Sequence, residues 1–366
     1  MRIAIDARLW GEPRSGIGRY TRALVDALVR QAPTDDWVLY LDRSARDLPR
    51  GAQTRVLPWP QRLIWTFWAA SRDLRRRPVD LFHGVTGFEL PWGGPCRLVT
   101  TVHDLVPLRL PALTPWRHRW AVRLLLPGAL RRATRVIAVS EATRREVLER
   151  YRIPAGRVAV VPEAADPRFA PAPPADRARV RARYGLVGVY VLFVGLLEPK
   201  KNLGTLFRAV ARLREAGGFR TATLAIAGAP GWGLPDLAAE AARLGVGDVV
   251  RLLGPVPDED LPALYGEALA FVFPSLWEGF GLPVLEAMAA GAPVIATCRG
   301  AVPEVAGDAA LLVEPEAGPL ADALARLLDD AGLRERLREA GLRRARAFSW
   351  ERAAAETLAV YRAALG

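Results

Sequence analysis

Two doubly wound α/β domains are the fold that this sequence predicts, and three observations predict it. The chain has 366 residues, too many for one ordinary hydrophobic core. Short apolar runs of strand length alternate with helical patterns along both halves, which argues for parallel sheets covered on both faces. The alternation breaks once, over residues 162–174, at Pro162, Pro167, Pro171, Pro173 and Pro174 set among small residues, a composition expected of a linker.

Taken in order, 2–7 reads as a strand, 18–30 as a helix and 37–41 as a strand. Residues 79–83, 97–103, 135–139 and 158–161 are further apolar runs, with helical patterns at 116–131 and 141–150 between them. After the break, 189–194, 223–227, 249–252, 270–273 and 294–296 read as strands, with helices over 202–215 and 234–244. The predicted divisions are an N-terminal domain at 1–165, a linker at 166–185 and a C-terminal domain at 186–348. The amphipathic stretch 349–366 is expected to pack back on the first domain. Ligands of such sheets bind at the carboxyl ends of the strands, so a central cleft faced by both domains is the expected site.

Composition narrows the class. No run of about 18 uncharged apolar residues is present, so no membrane-spanning helix is expected. The start, MRIAIDARLW, reads as a charged strand and not as a signal peptide. Cys96 and Cys298 stand in different halves without metal-ligand spacing, as free thiols in a cytoplasmic protein would. Fifty-one Lys and Arg against thirty-nine Asp and Glu give a net charge of +12, which attracts phosphates, anionic lipids or nucleic acid. The cations are mostly Arg scattered along Ala- and Leu-rich helices, and no nucleic-acid-binding motif accompanies them.

The stretch EGFGLPVLE, residues 278–286, is the most informative. It follows the apolar run 270–273 and precedes a helical pattern at 284–290, so it reads as strand, loop, helix, with Pro283 as the first helical residue. Gly279 and Gly281 let the backbone approach a ligand, and amides at a helix start with the helix dipole hold phosphate. Glu278 in the loop and Glu286 on the first turn then flank that anion and can accept hydrogen bonds from sugar hydroxyls. The chemistry suggested is recognition of a nucleotide-sugar at both of its sugar rings.

Five other segments bear on the chemistry. Gly195 ends a strand and Lys200, Lys201 and Asn202 open the next helix, which suits a diphosphate. His103 and Asp104 end a strand of the first half, where such a pair is catalytic, metal-binding or structural. The loop with Gly16 and Gly18 has Thr21 where a dinucleotide fingerprint needs its third glycine, so closure on a diphosphate or an acceptor fits it better. Asp258 and Asp260 resemble a metal-binding D-x-D, but a helix N-cap explains them and no metal is assigned. The aromatic and basic stretch from Arg62 to Arg77 reads either as a surface for an anionic membrane or as a core helix with a solvated basic end.

These motifs together resemble the retaining glycosyltransferases of family 4, which have the GT-B fold, and within them a mannosyltransferase-like subgroup of polysaccharide biosynthesis. The resemblance rests on E-x7-E at 278–286, the Lys-Asn element, T-x-H-D-L at 101–105, G-I-G-R-Y at 16–20 and V-S-E at 139–141, and so spans nearly the whole chain. It implies that Glu278 contacts the transferred sugar, Glu286 the ribose and His103 the sugar near C6, while Asp104 orders its loop or the acceptor site. Lys201, with Lys200, Gly195, Asn202 and the amides near Phe280, Gly281 and Leu282, would hold the donor diphosphate, and Val256 the base. Leu196 stands where the family has an Arg, and 161–166 reads V-P-E-A-A-D in place of V-P-N-G-V-D. The expected activity is retaining, metal-independent hexosyl transfer, with mannose from GDP-mannose as the leading donor, to a hydroxyl of a saccharide or lipid-linked acceptor. No cofactor is expected. The alternatives are a UDP-hexose or dTDP-deoxysugar donor, an epimerase or phosphorylase, and a non-catalytic anion- or nucleic-acid-binding protein. A cytoplasmic location with peripheral contact to an anionic membrane completes the expectation.

Overall fold

A computed structural model describes residues 1–366 apart from 13, 14, 60 and 235. The chain forms two compact units, Met1–Glu163 with Ser349–Gly366, and Ala164–Phe348. Both are parallel α/β sheets layered with helices.

The N-terminal unit has seven strands, β1 (Arg2–Asp6), β2 (Asp36–Leu41), β3 (Ala52–Val56), β4 (Leu81–Gly84), β5 (Arg97–Val102), β6 (Arg135–Ala138) and β7 (Val158–Val160). They lie in the order β3-β2-β1-β4-β5-β6-β7. Buried on both faces, the inner strands need near-continuous apolar runs, which is why the sequence reveals them. β3 escapes that reading because it is an edge strand with Gln53 and Thr54 exposed. The helix Gly16–Gln31 begins two residues earlier than read, capped by Ser15, whose Oγ accepts from Gly18 N at 2.9 Å. The helix Trp350–Leu365 belongs to this unit and packs on Gly16–Gln31, β5 and β6.

The C-terminal unit has β8 (Tyr190–Val194), β9 (Thr223–Ala227), β10 (Val250–Gly254), β11 (Ala270–Phe273), β12 (Val294–Thr297) and β13 (Leu311–Val313) in the order β10-β9-β8-β11-β12-β13. The unpredicted β13 is again an edge, three half-buried residues long. Within the segment read as a linker, Pro174–Tyr184 is a helix, its Val180 buried. Asp260 corrects the capping assignment: it precedes the helix Leu261–Glu267, but its side chain makes no cap. Its fully buried carboxylate instead receives Arg179 Nη1 at 2.7 Å, Arg183 Nη1 at 2.9 Å and the Tyr184 hydroxyl at 2.8 Å, tying the helix Pro174–Tyr184 to the fold. The helix read at 234–244 is Leu237–Arg243, capped by Asp236, and Pro235 lies outside the described residues.

The strand order reverses between β1 and β4 in one unit and between β8 and β11 in the other. Loops leaving the carboxyl ends of such neighbours run to opposite sides and open a crevice.

Candidate functional site

In the C-terminal unit the loops at this reversal are 195–202, after β8, and 274–281, after β11. These are the Lys-Asn and E-x7-E segments, so the topology brings together two motifs 77 residues apart. Glu278 is their meeting point. Its Oε1 accepts from Lys201 Nζ at 2.6 Å and from Ser275 Oγ at 2.5 Å, and Lys200 Nζ lies 3.5 Å from Oε2. Burial alone would raise the Glu278 carboxyl, but the Lys200 and Lys201 charges and these hydrogen bonds pull its pKa down to about 2. Glu198, also buried, sits 3.4 Å from Lys200 Nζ, and burial outweighs the lysines there to raise its pKa. The site is therefore a group of two ammonium and two carboxyl groups, all buried except the half-buried Lys200, in which Glu278 stays ionised.

Asn202 fastens this arrangement. It adopts a left-handed conformation (φ 58°) unusual for a residue with a side chain, and its Nδ2 donates to the carbonyls of Pro274 and Pro315, each at 3.2 Å. Thr205 Oγ1 donates to its Oδ1 at 2.7 Å, so the Asn202 amide joins the loops after β8, β11 and β13. Ser275 Oγ and Leu276 N both reach the Lys200 carbonyl, at 3.2 and 2.8 Å. Gly300, which sequence reading missed, fits tightly against the loop: a Cβ there would lie 2.2 Å from the Glu278 carbonyl oxygen, and Ala301 N donates to that oxygen at 2.9 Å.

The helix after the second loop is Leu282–Ala289, with Gly281 as N-cap at φ 100°. Pro283 is thus its second residue, not its first, and Glu286 falls just past the first turn. Glu286 is buried and its Oε2 accepts from the Tyr265 hydroxyl at 3.1 Å. The Phe280 ring is buried, edge-on to Phe348 with centroids 5.9 Å apart, which leaves its backbone for a ligand. Leu282, Gly195 and Val256 are half-buried, and Leu196 is exposed. Positive charge, a helix N-terminus and the ionised Glu278 carboxylate side by side can neutralise a diphosphate while accepting from sugar hydroxyls.

In the N-terminal unit His103 follows β5 directly, and both ring nitrogens are engaged. Nε2 donates to the Val85 carbonyl at 2.9 Å, and Nδ1 lies 2.9 Å from Glu163 Oε1. The carbonyl only accepts, so Nε2 carries a hydrogen; the contact at Nδ1 then needs a second proton, on the ring or on the carboxyl. Glu163 is the first of three positions, 163–165, at which V-P-E-A-A-D differs from V-P-N-G-V-D, so the departure supplies the histidine's partner. Sequence reading saw only a turn there. Asp104 Oδ1 accepts from Val106 N at 3.0 Å and so orders the turn after His103. Gly16 and Gly18 lie in the first turn of the helix Gly16–Gln31, where a Cβ on Gly18 would collide with the Glu12 carbonyl, so Gly18 is explained by its own loop.

Beneath His103 runs a buried polar chain. The Tyr20 ring meets His103 edge-on at 4.7 Å, and its hydroxyl bonds Thr101 Oγ1 at 2.9 Å. Thr101 Oγ1 reaches His83 Nε2 at 2.8 Å, and His83 Nδ1 reaches the Tyr361 hydroxyl at 2.6 Å. Burial, with the nearby His103, pushes the His83 pKa down to about 3, so that ring is neutral. His83, which had no motif context, is the link between β4 and the C-terminal helix. His118 is exposed, tilted against Phe88.

Known proteins share this organisation. Residues 14–169 match the model described as Glycosyltransferase Family 4, and residues 185–344 match Glycosyl transferases group 1. Over 380 residues the chain is 32% identical to the O-antigen chain mannosyltransferase B of Escherichia coli, covering 96% of each. It is 37% identical over 288 residues to the D-inositol 3-phosphate glycosyltransferase of Salinispora arenicola, covering 74% of this chain and 64% of that one. The solved sucrose-phosphate synthase of Thermosynechococcus elongatus superposes with a TM-score of 0.78 at 24% identity, over 99% of this chain and 98% of the other. Matched by family models in both halves and alike to a relative over its full length, the chain belongs to the glycosyltransferases of family 4 and has the GT-B fold.

Proposed function

We propose that this glycosyltransferase moves mannose from GDP-mannose to a hydroxyl of a saccharide or lipid-linked saccharide, with retention of configuration and without a metal. The observation that carries the reading is the group of half-buried Lys200 with buried Lys201 and Glu278 beside the N-terminus of Leu282–Ala289. Lys201, with Lys200 in the role of the missing Arg, neutralises the departing diphosphate together with the amides of Gly281 and Leu282. Glu278 and Glu286 accept from hydroxyls of the transferred sugar and of the ribose, and the acceptor attacks from the face the diphosphate leaves, with a donor phosphate oxygen as base. His103 exchanges its bond to the Val85 carbonyl for one to the sugar while Glu163 holds the ring. The likeness to a mannosyltransferase over its full length supports the sugar.

The test is thermal stabilisation by GDP, UDP, dTDP and ADP in the presence of a chelator, for the native protein and Glu286→Ala. GDP is expected to raise the melting midpoint, and the variant to lose the shift. Stabilisation by UDP or dTDP alone would replace the donor. No shift with any nucleotide would sink the reading.

A further inference from the structure

We propose that an aromatic, arginine-fringed face of the N-terminal unit docks on an anionic lipid bilayer. The face begins on the helical run Arg62–Arg76, whose middle turn, Trp65–Ala70, is a π-helix. That run already buries Trp65, Ala69, Ala70 and Leu74 in the core, with the Arg8 guanidinium 3.9 Å over the Trp65 ring. Its other side leaves Leu63, Ile64 and Trp68 exposed, and with Trp59, Phe67 and Trp92 they line a shallow depression of about 440 Å³ built of apolar residues alone. Trp92 is 65% exposed and its ring stacks on Phe67 at 4.6 Å, while Trp59 meets Trp68 at 5.1 Å.

A second stripe adjoins it. The helix Trp116–Arg132 buries Val122, Leu126, Ala129 and Leu130, yet exposes Trp116, Trp120 and Leu124 at four-residue spacing on another side. The loop after β4 links the stripes, since it carries both Trp92 and Phe88, and Phe88 touches His118. Helix 62–76, this loop and helix 116–132 follow β3, β4 and β5, so the face starts from the sheet edge that carries His103.

Charge selects the occupant. Arg72, Arg117 and Arg123 are exposed, their guanidinium groups over Trp68, Trp116 and Trp120. From Leu105 to Ser140 the chain contains no Asp or Glu. Indole rings sit at the level of lipid headgroups, and exposed arginines beside them, on a segment without acidic residues, complement the phosphates there. The proposal deepens the reading above by naming where an amphiphilic acceptor meets the enzyme, but it is tested without donor or turnover, so its failure leaves glycosyl transfer standing.

The full chain is sedimented with vesicles of phosphatidylcholine, with and without phosphatidylglycerol. Pelleting is expected only with phosphatidylglycerol and is expected to fall with salt. Trp59→Ser, Trp68→Ser and Trp92→Ser combined should weaken binding at least about tenfold, and Arg117→Glu with Arg123→Glu should abolish the lipid preference. Should the triple variant melt below the native protein, Trp92→Ser alone is the variant read. Native protein left in the supernatant with both vesicles, or binding untouched by both variants, overturns the proposal. So does a lipid-free dimer that the tryptophan variant dissociates, which would assign the face to a second copy.

Discussion

Lys201 and Glu278 are each other's partner at 2.6 Å, buried, and each is assigned to a different part of the donor. A diphosphate entering this group must share the lysines with two carboxylates, so removing one lysine should act on the reacting state more than on the fold. Lys201→Met is expected to lower kcat about 10²-fold with the donor that stabilises the protein, while Glu278 keeps Lys200 as its counter-charge. A variant turning over at the native rate would refute the role. The pH dependence follows from two depressed groups. His83 falls from its ordinary 6.5 to about 3, and Glu278 from 4.5 to about 2. In each window the unfolded chain binds the proton and the folded one does not, so both contributions are complete above the ordinary value and are lost as pH falls through the window, at about 1.4 kcal/mol per unit for each group. The melting midpoint is expected to decline below pH 6.5 and more steeply below 4.5, and His83→Gln should flatten the upper part. A midpoint constant from pH 7 to 5 would count against a neutral, buried His83.

The loops after β8 and β11 work as a unit because Asn202 ties them and Gly300 lets the 298–301 turn close on the Glu278 backbone. Gly300→Ala places a methyl 2.2 Å from a carbonyl oxygen at a left-handed position (φ 61°). It is expected to displace Glu278, costing activity about tenfold or more and about 1–3 kcal/mol of stability, measured by turnover and by denaturant midpoint. Native turnover would show that the turn can relax. At this scale the sequence was legible wherever a strand is buried on both faces, as β1, β4, β8 and β11 are. It was illegible at the edges β3 and β13, where half of the surface is solvated. The helix Pro174–Tyr184 was hidden by prolines that mark its start, and its anchor Asp260 was hidden because a buried carboxylate and an N-cap look alike in one dimension.

The N-terminal unit takes its last helix from the far end of the chain. Trp350, Leu358 and Tyr361 are buried in it, and the Tyr361 hydroxyl completes the chain that leads to Thr101, two residues before His103. A fragment of residues 1–165 should therefore expose an apolar face and aggregate, whereas the same fragment joined through a flexible linker to 349–366 should melt cooperatively. Solubility and thermal circular dichroism distinguish the two. Equal melting of both fragments would mean that the helix is an accessory.

The sequence by itself determined the class of fold, the two motifs that meet at the candidate site and the family, because each depends on local chemistry: apolar periodicity, glycines and a proline at a strand-helix turn, charged residues at fixed spacing. Only the tertiary structure decided which charges meet. It paired Glu278 with both lysines, added Glu198 and Ser275 to them, gave His103 the carboxylate of Glu163, and closed Gly300 on the Glu278 backbone. Those contacts join residues far apart in the chain, and the strand order that brings them together follows from how the sheet packs as a whole.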